Sequence, residues 1–180
     1  MRRGEILEIQ FLNWLDLLRN PVLDSLMVFV TSLGDGGIFW ILTAVLLLWM
    51  PKRRSYGIAM LCAMVMGLIV VNLGVKPLVG RIRPYEAVGY GPLLIKAPSD
   101  ASFPSGHTQV SVESAWILAG MNKKVGMGAL ILAVLIAFSR MYLYVHYPSD
   151  VAGGFLFGSL WAYLSLKYVR PMICRRWKLE

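Results

Sequence analysis

Residues 124–143, KVGMGALILAVLIAFSRMYL, carry only two charged side chains, Lys124 and Arg140, along an otherwise apolar run. About 20 mostly apolar residues are what an α-helix needs to cross the hydrocarbon of a bilayer. Comparable stretches lie on either side, at about 55–80, 105–121 and 149–169, separated by short polar punctuation. Residues 21–50 are also apolar but break at Leu33-Gly34-Asp35-Gly36-Gly37, which reads as a turn joining two shorter helices. The pattern predicts an all-α polytopic membrane protein, a six-transmembrane-helix bundle over 21–169 within one domain of residues 1–180. Ahead of it, Leu7, Phe11, Trp14, Leu15 and Leu18 recur at helical spacing between Glu8, Asn13 and Asp16, which predicts an interfacial amphipathic helix over 1–19. That segment has neither the continuous apolar core nor the small-residue cleavage site of a removable signal peptide.

Composition supports the same class. With 57% apolar and 16% charged residues, the chain of 180 residues holds more hydrophobic sequence than a soluble domain of this size can cover. The net charge of +8 is spread between spans and not gathered on one exposed face, so it speaks for topology and anionic headgroups, with no nucleic-acid partner. Cys62 and Cys174 stand far apart, one in an apolar stretch and one in a basic tail at 170–180, which argues against a disulfide or a thiolate metal site. In a six-helix alternation Arg2, Arg3, Lys52, Arg53, Arg54, Lys123, Lys124, Arg175, Arg176 and Lys178 fall on one side. The enrichment of Lys and Arg in short inner loops makes that side cytoplasmic, with both termini, in an inner membrane.

The opposite side receives both histidines of the chain, His107 and His146, together with Lys76, Arg81, Arg83 and Arg140. Cations placed against the charge rule, beside the imidazoles, suit a polyanionic ligand such as phosphate. Pro104-Ser105-Gly106-His107 opens a helix with Ser105 as N-cap and Gly106 letting a ligand approach the backbone. His146 precedes another helix start at Pro148, so two helix N-termini aim partial positive charge at one region. Asp150, four residues beyond His146, is within reach of one imidazole nitrogen and leaves the other free as a nucleophile.

Taken together, three motifs stand in order: Lys76 and Arg83-Pro84 with six residues between Lys and Arg, Pro104-Ser105-Gly106-His107, and Ser139-Arg140 followed after five residues by His146 and after three more by Asp150. The chain resembles the type 2 phosphatidate phosphatase superfamily over about residues 55–169. The resemblance implies that His146 attacks phosphorus, Asp150 orients it, and His107 protonates the departing oxygen. It also implies that Lys76, Arg83 and Arg140, with Ser105 and the Gly106 amide, bind the phosphoryl oxygens. No cofactor and no metal ion are implied, and the scattered acidic residues make no metal constellation. The small architecture resembles bacterial members acting on undecaprenyl diphosphate; phosphatidylglycerol phosphate and phosphatidate are the nearest alternative lipid substrates, and a lipid phosphotransferase is another. The wider superfamily also resembles vanadate-dependent haloperoxidases, which would not carry these spans.

Several residues stand outside these motifs. Arg81 could touch substrate or snorkel to headgroups, and Tyr85, Tyr142, Tyr144 and Tyr147 read as an interfacial belt. Asp35 could cap a turn, and Asp24 sits at the interface or pairs with a neighbouring helix. Glu113, inside an apolar helix beside Gln109, Ser111 and Ser114, suggests a polar helix–helix seam or a substrate-facing wall. The loop from Tyr85 to Phe103 is long enough to cover the site as a flap. A channel or transporter is the rival from another class, and it predicts internal repeats, which the sequence lacks.

Overall fold

The structure, a computed structural model, describes residues 3–177, which form helices and connecting loops. Helices α1 (Arg3–Asp16) and α2 (Pro21–Ser32) are followed by a tight turn at Asp35–Gly37 and by α3 (Ile38–Trp49). Helix α4 (Arg54–Gly67) continues through a π-helical stretch, Leu68–Val75, into α5 (Lys76–Val79), and the short α6 (Pro84–Val88) follows. Then come α7 (Gly106–Met121), α8 (Lys123–Tyr142) and α9 (Pro148–Leu164), and a second π-helical stretch leads into α10 (Arg170–Trp177). Helix boundaries follow local chemistry. Asn20 caps α2 by accepting from Leu23 N at 3.0 Å, with Pro21 in the first turn where its missing N–H costs nothing. Asn122 both ends α7 and caps α8, accepting from Lys124 N at 2.9 Å and Val125 N at 3.2 Å.

Helix α7 is the axis of the bundle, packed against α8 and α9 and touching α3 and α4. It reaches α9 through glycines. A Cβ at Gly154 would stand 2.6 Å from the Ser105 carbonyl oxygen, and one at Gly158 would stand 2.6 Å from that of Gln109. Small residues four apart allow two backbones to approach this closely, and in exchange the apolar core of Trp40, Met60, Ile117, Ile136 and Trp161 closes around them. Polar side-chain bonds also cross this region, from Trp40 Nε1 to Ser111 Oγ at 3.0 Å and from Trp116 Nε1 to Ser159 Oγ at 3.1 Å.

The expectation of six membrane crossings is corrected. Among the described residues only two helical segments are long and apolar enough to span, Pro51–Val88 and Lys123–Tyr142, with a third if α2 and α3, bent by 41° at Leu33–Gly34, count together. The physical reason lies in α7 and α9. Helix α7, at 16 residues, is shorter than the roughly 20 a bilayer needs and carries Gln109, Ser111, Glu113 and Ser114 in its buried face, while α9, though it continues into α10, is diluted by Gly153, Gly154, Gly158 and Ser159. Helix α7 is sheltered by protein over most of its length. The apolar run at 21–50 divides because Gly36 and Gly37 adopt left-handed φ of 58° and 68°.

Contacts also correct the placement of the N-terminus. Gly34 lies against His107, Thr31 against Arg140 and Asp24 against Tyr142, so α2 stays at the end of the bundle that holds the histidines. Helix α1 is at that same end, with Ile9, Leu12 and Leu15 packed on Tyr144 and Tyr147, and its Glu8 paired with Arg81 at 2.6 Å. It is docked on the protein, and not on the side of Lys52, Arg53, Arg54, Lys123 and Lys124, where the α3–α4 and α7–α8 turns lie. Arg2 and Lys178, also assigned to that side from sequence, fall outside the described residues. Cys62 and Cys174 are free.

The glycine contact yields a stability test. Gly158→Ala forces a methyl group into the Gln109 backbone and is expected to cost ~1–3 kcal/mol, read as a lowered melting temperature in detergent. Gly128→Ala, whose Cβ meets nothing within 4 Å, serves as the control and should leave melting unchanged or slightly raised.

Candidate active site

A cavity of about 750 Å³ opens at the end of the bundle where α5, α7, α8 and the α8–α9 turn meet. Lys76, Arg83, Gly106, His107, Arg140 and His146 all line it. Lys76, Arg83, Arg140 and His146 are each no more than 5% exposed, so the charge is held where water screens it least.

His146 is presented by the turn between α8 and α9. Val145 N and His146 N both point back at the Arg140 carbonyl, and Tyr144 takes a left-handed φ of 61° to make the corner. That strained backbone is held by the stack of Tyr144 on Tyr90, centroids 4.1 Å apart, and by the Tyr144 hydroxyl donating to Asn13 Oδ1. The imidazole Nδ1 lies 3.4 Å from Asp150 Oδ2, and Nε2 lies 3.2 Å from Arg83 Nη1. A guanidinium only donates, so Nε2 is the acceptor and the proton resides on Nδ1, facing the carboxylate. Burial, reinforced by Arg83 and Arg140 against the opposing pull of Asp150, pushes the His146 pKa down to about 3. The ring is therefore neutral, with an unprotonated Nε2 directed at the cations.

Asp150 is itself fixed from every side. Its Oδ2 accepts from the Ser102 hydroxyl and from Tyr147 N at 2.9 Å, and its Oδ1 accepts from Arg81 Nη1 at 2.6 Å. Arg81 does not line the cavity; its guanidinium lies 3.9 Å from the centre of the Tyr147 ring and bridges Asp150 to Glu8. It positions the carboxylate from behind. Of the two readings open for Arg81 in the sequence, neither anticipates this one, because its partners lie 69 and 73 residues away.

The second imidazole has a carboxylate of its own. His107 Nε2 is 2.8 Å from Asp35 Oδ1, on the turn between α2 and α3, and a Cβ on Gly34 would come within 2.6 Å of the His107 ring. Burial and nearby Arg140 lower the His107 pKa to about 4 despite Asp35. Arg140 donates to Thr31 Oγ1 at 2.6 Å, while its buried Nε has no protein partner. Ser105 behaves as the sequence predicts for a cap, accepting from Thr108 N at 3.4 Å, but it is fully buried and does not line the cavity, whereas Gly106 does. Arg83 and Lys76 both reach Asp100 on the loop before α7, a residue no motif singles out. That loop folds over the site as residues 95–100, with Tyr85 donating to the Pro98 carbonyl at 3.0 Å. Glu113 and Gln109 line the deeper wall, bonded to each other at 3.2 Å. No group of three or more His, Cys, Asp or Glu among the described residues is arranged to hold a metal ion.

A cationic cavity at one end of a membrane-associated helical bundle, with two imidazoles each facing a carboxylate, defines a class: the hydrolases of lipid phosphates and diphosphates. The chain belongs to the PAP2 superfamily, whose family model matches residues 55–173. It is 34% identical over 146 residues to an undecaprenyl-diphosphatase of Sulfolobus acidocaldarius, covering 81% of this chain and 70% of the relative. It is 30% identical over 161 residues to the undecaprenyl-diphosphatase BcrC of Bacillus subtilis, covering 86% and 80%. In three dimensions it is similar to a transmembrane PAP2 phosphatidylglycerolphosphate phosphatase from Bacillus subtilis, with a TM-score of 0.78 at 26% identity over 95% of this chain and 88% of that one. LpxE of Aquifex aeolicus superimposes with a TM-score of 0.78 at 28% identity, over 88% and 94%.

The neutral state of His107 has a measurable consequence. A bound tetrahedral dianion raises the pKa of a facing imidazole, so binding at about pH 5–6 should be accompanied by proton uptake. Titration calorimetry with tungstate in two buffers of different ionisation heat should detect that uptake, and His107→Ala should remove most of it. Binding without proton exchange would show that His107 does not face the anion.

Proposed function

We propose that the protein hydrolyses a lipid diphosphate, with undecaprenyl diphosphate as the best candidate, through a phosphohistidine on His146. The observation that carries this reading is His146 Nε2, 3.2 Å from an arginine that also lines the cavity, with Nδ1 turned toward Asp150. Phosphoryl transfer asks for positioned positive charge and an in-line nucleophile and little more. His146 Nε2 attacks the terminal phosphorus, forming an N–P bond as the bridging P–O bond breaks. Asp150 balances the positive charge that develops on the ring, and His107, having taken up a proton as the bound anion raises its pKa, delivers that proton to the departing lipid-bound oxygen. Lys76, Arg83 and Arg140 hold the phosphoryl oxygens, with the Gly106 amide at the start of α7 as a further donor. Water then attacks the phosphohistidine, assisted by His107 as base, and inorganic phosphate leaves.

Substrate identity rests on the two undecaprenyl-diphosphatase relatives; the likeness to a phosphatidylglycerolphosphate phosphatase keeps that lipid as the second candidate. The side of the membrane follows from polarity along the bundle: Lys52, Arg53, Arg54, Lys123 and Lys124 sit at the end opposite His107 and His146, which favours an extracytoplasmic site. Helix α1 then shares the outer side with the site.

Phosphate release from undecaprenyl diphosphate and from phosphatidylglycerol phosphate by the detergent-purified protein tests the proposal. Activity is expected to survive EDTA and to fall by at least ~10⁴-fold in His146→Ala, with Asp150→Asn also strongly impaired. Labelled substrate should leave an acid-labile, base-stable phosphoprotein that is absent from His146→Ala. Equal phosphate release by wild type and His146→Ala would end the phosphohistidine reading, and labelled phosphate appearing on another lipid instead of in water would identify a transferase.

A further inference from the structure

The structure points to Asp100 as a tethered stand-in for the phosphoryl group: we propose that its carboxylate occupies the cation cradle and must be displaced by substrate, which makes it a specificity residue against phosphodiester lipids. This inference rests on the phosphatase reading above.

Three observations carry it. First, the two oxygens of Asp100 divide between the cations, Oδ1 accepting from Arg83 Nη2 at 2.7 Å and Oδ2 from Lys76 Nζ, as two oxygens of one phosphoryl group would. Second, the two ends of these ion pairs differ in accessibility. The side chains of Lys76 and Arg83 are 7% and 3% exposed, whereas that of Asp100 is 52% exposed and lies on an irregular loop. The cations are fixed in the wall and the carboxylate is the partner that can exchange. Third, the Asp100 carbonyl accepts from Arg83 Nε at 2.9 Å, and two residues later Ser102 is anchored by its backbone on the Arg81 carbonyl and by its hydroxyl on Asp150. The tether keeps the carboxylate next to the cradle even when it has swung out.

The consequence for selectivity comes from charge and oxygen count. A carboxylate held on the same chain competes at a high effective concentration, in the millimolar range or above. A phosphodiester headgroup carries one negative charge and two free oxygens, so it offers Lys76 and Arg83 nothing that Asp100 does not already supply. A phosphomonoester or the terminal group of a diphosphate carries up to two charges and three terminal oxygens. It can satisfy Lys76 and Arg83 and also the unpaired Nε of Arg140 in the same cavity. An enzyme whose site opens among diester phospholipids at very high local concentration would otherwise be filled by them.

The experiment compares wild type with Asp100→Ala and Asp100→Asn, the full chain in detergent in each case, with melting temperature recorded to verify folding. Two probes are used: tungstate affinity by calorimetry, and hydrolysis of undecaprenyl diphosphate in micelles with and without phosphatidylglycerol. Removing the competing charge should tighten tungstate binding by ~10-fold or more in both variants. Phosphatidylglycerol should inhibit the wild type only weakly and should become, in both variants, a competitive inhibitor that raises KM and leaves kcat unaltered. Weaker tungstate binding in folded variants would overturn the proposal and make Asp100 a positioning residue for Lys76 and Arg83, and unchanged affinity would overturn it as well. A wild-type protein that binds no tungstate and releases no phosphate from either lipid would instead overturn the phosphatase reading on which the proposal stands.

Discussion

Four cations, Lys76, Arg81, Arg83 and Arg140, are drawn to one end of a mostly apolar bundle, and their mutual repulsion is the constraint around which the site is arranged. Each is answered by a group from a distant part of the chain. Arg81 lies between Glu8 of the first helix and Asp150 of the ninth; Arg83 and Lys76 share Asp100. Arg140, with a hydroxyl at Thr31 and an unpaired Nε, is the least compensated. Charge is therefore nearly balanced behind His146 and in excess in front of it. That gradient suits an anion in the cavity, since fixed dipoles and charges in a poorly solvated site need no reorganisation to meet it.

The rigid parts of the fold explain why such charges can be kept in register. Helix α7 brings His107 and Gly106 to the cavity at its first turn and meets α9 through Gly154 and Gly158, so the α7 start and the α9 start cannot slide independently. Ser105 N donates to the Asp150 carbonyl at 3.0 Å, which joins the two helix beginnings directly. The π-helical stretch ahead of Lys76 widens the helix just below the cavity, and such local departures from α geometry recur at functional sites. At the other imidazole, the turn at Gly34–Gly37 sets Asp35 beside His107 and gives each histidine a carboxylate.

The shared end for both histidines followed from the two consecutive helices between them, and the three motifs and the His146–Asp150 pairing were legible because they are short-range facts. Their spacing along the chain fixes them to helix ends, and a four-residue separation needs no knowledge of the fold. The membrane count was not legible in the same way. Hydropathy reports how apolar a segment is, not whether lipid or protein covers it, and the apolar residues of α7 are mostly buried among other helices. Placing α1 on the basic side failed for a related reason: an odd number of helices runs between the two ends once α2 remains at the site end, and periodicity cannot reveal that a 12-residue helix stays beside Arg140 and Tyr142.

By itself the sequence determined that the fold is all-helical and largely apolar, though not its number of spans, and it determined the imidazoles, the cations and the helix starts that carry them, since local propensity and motif spacing suffice for each. Only the tertiary structure decided which carboxylate answers which cation. Arg81 to Asp150, Arg83 to Asp100 and His107 to Asp35 are pairings across 69, 17 and 72 residues, and they exist because helix packing, not sequence separation, sets the distances over which charges act.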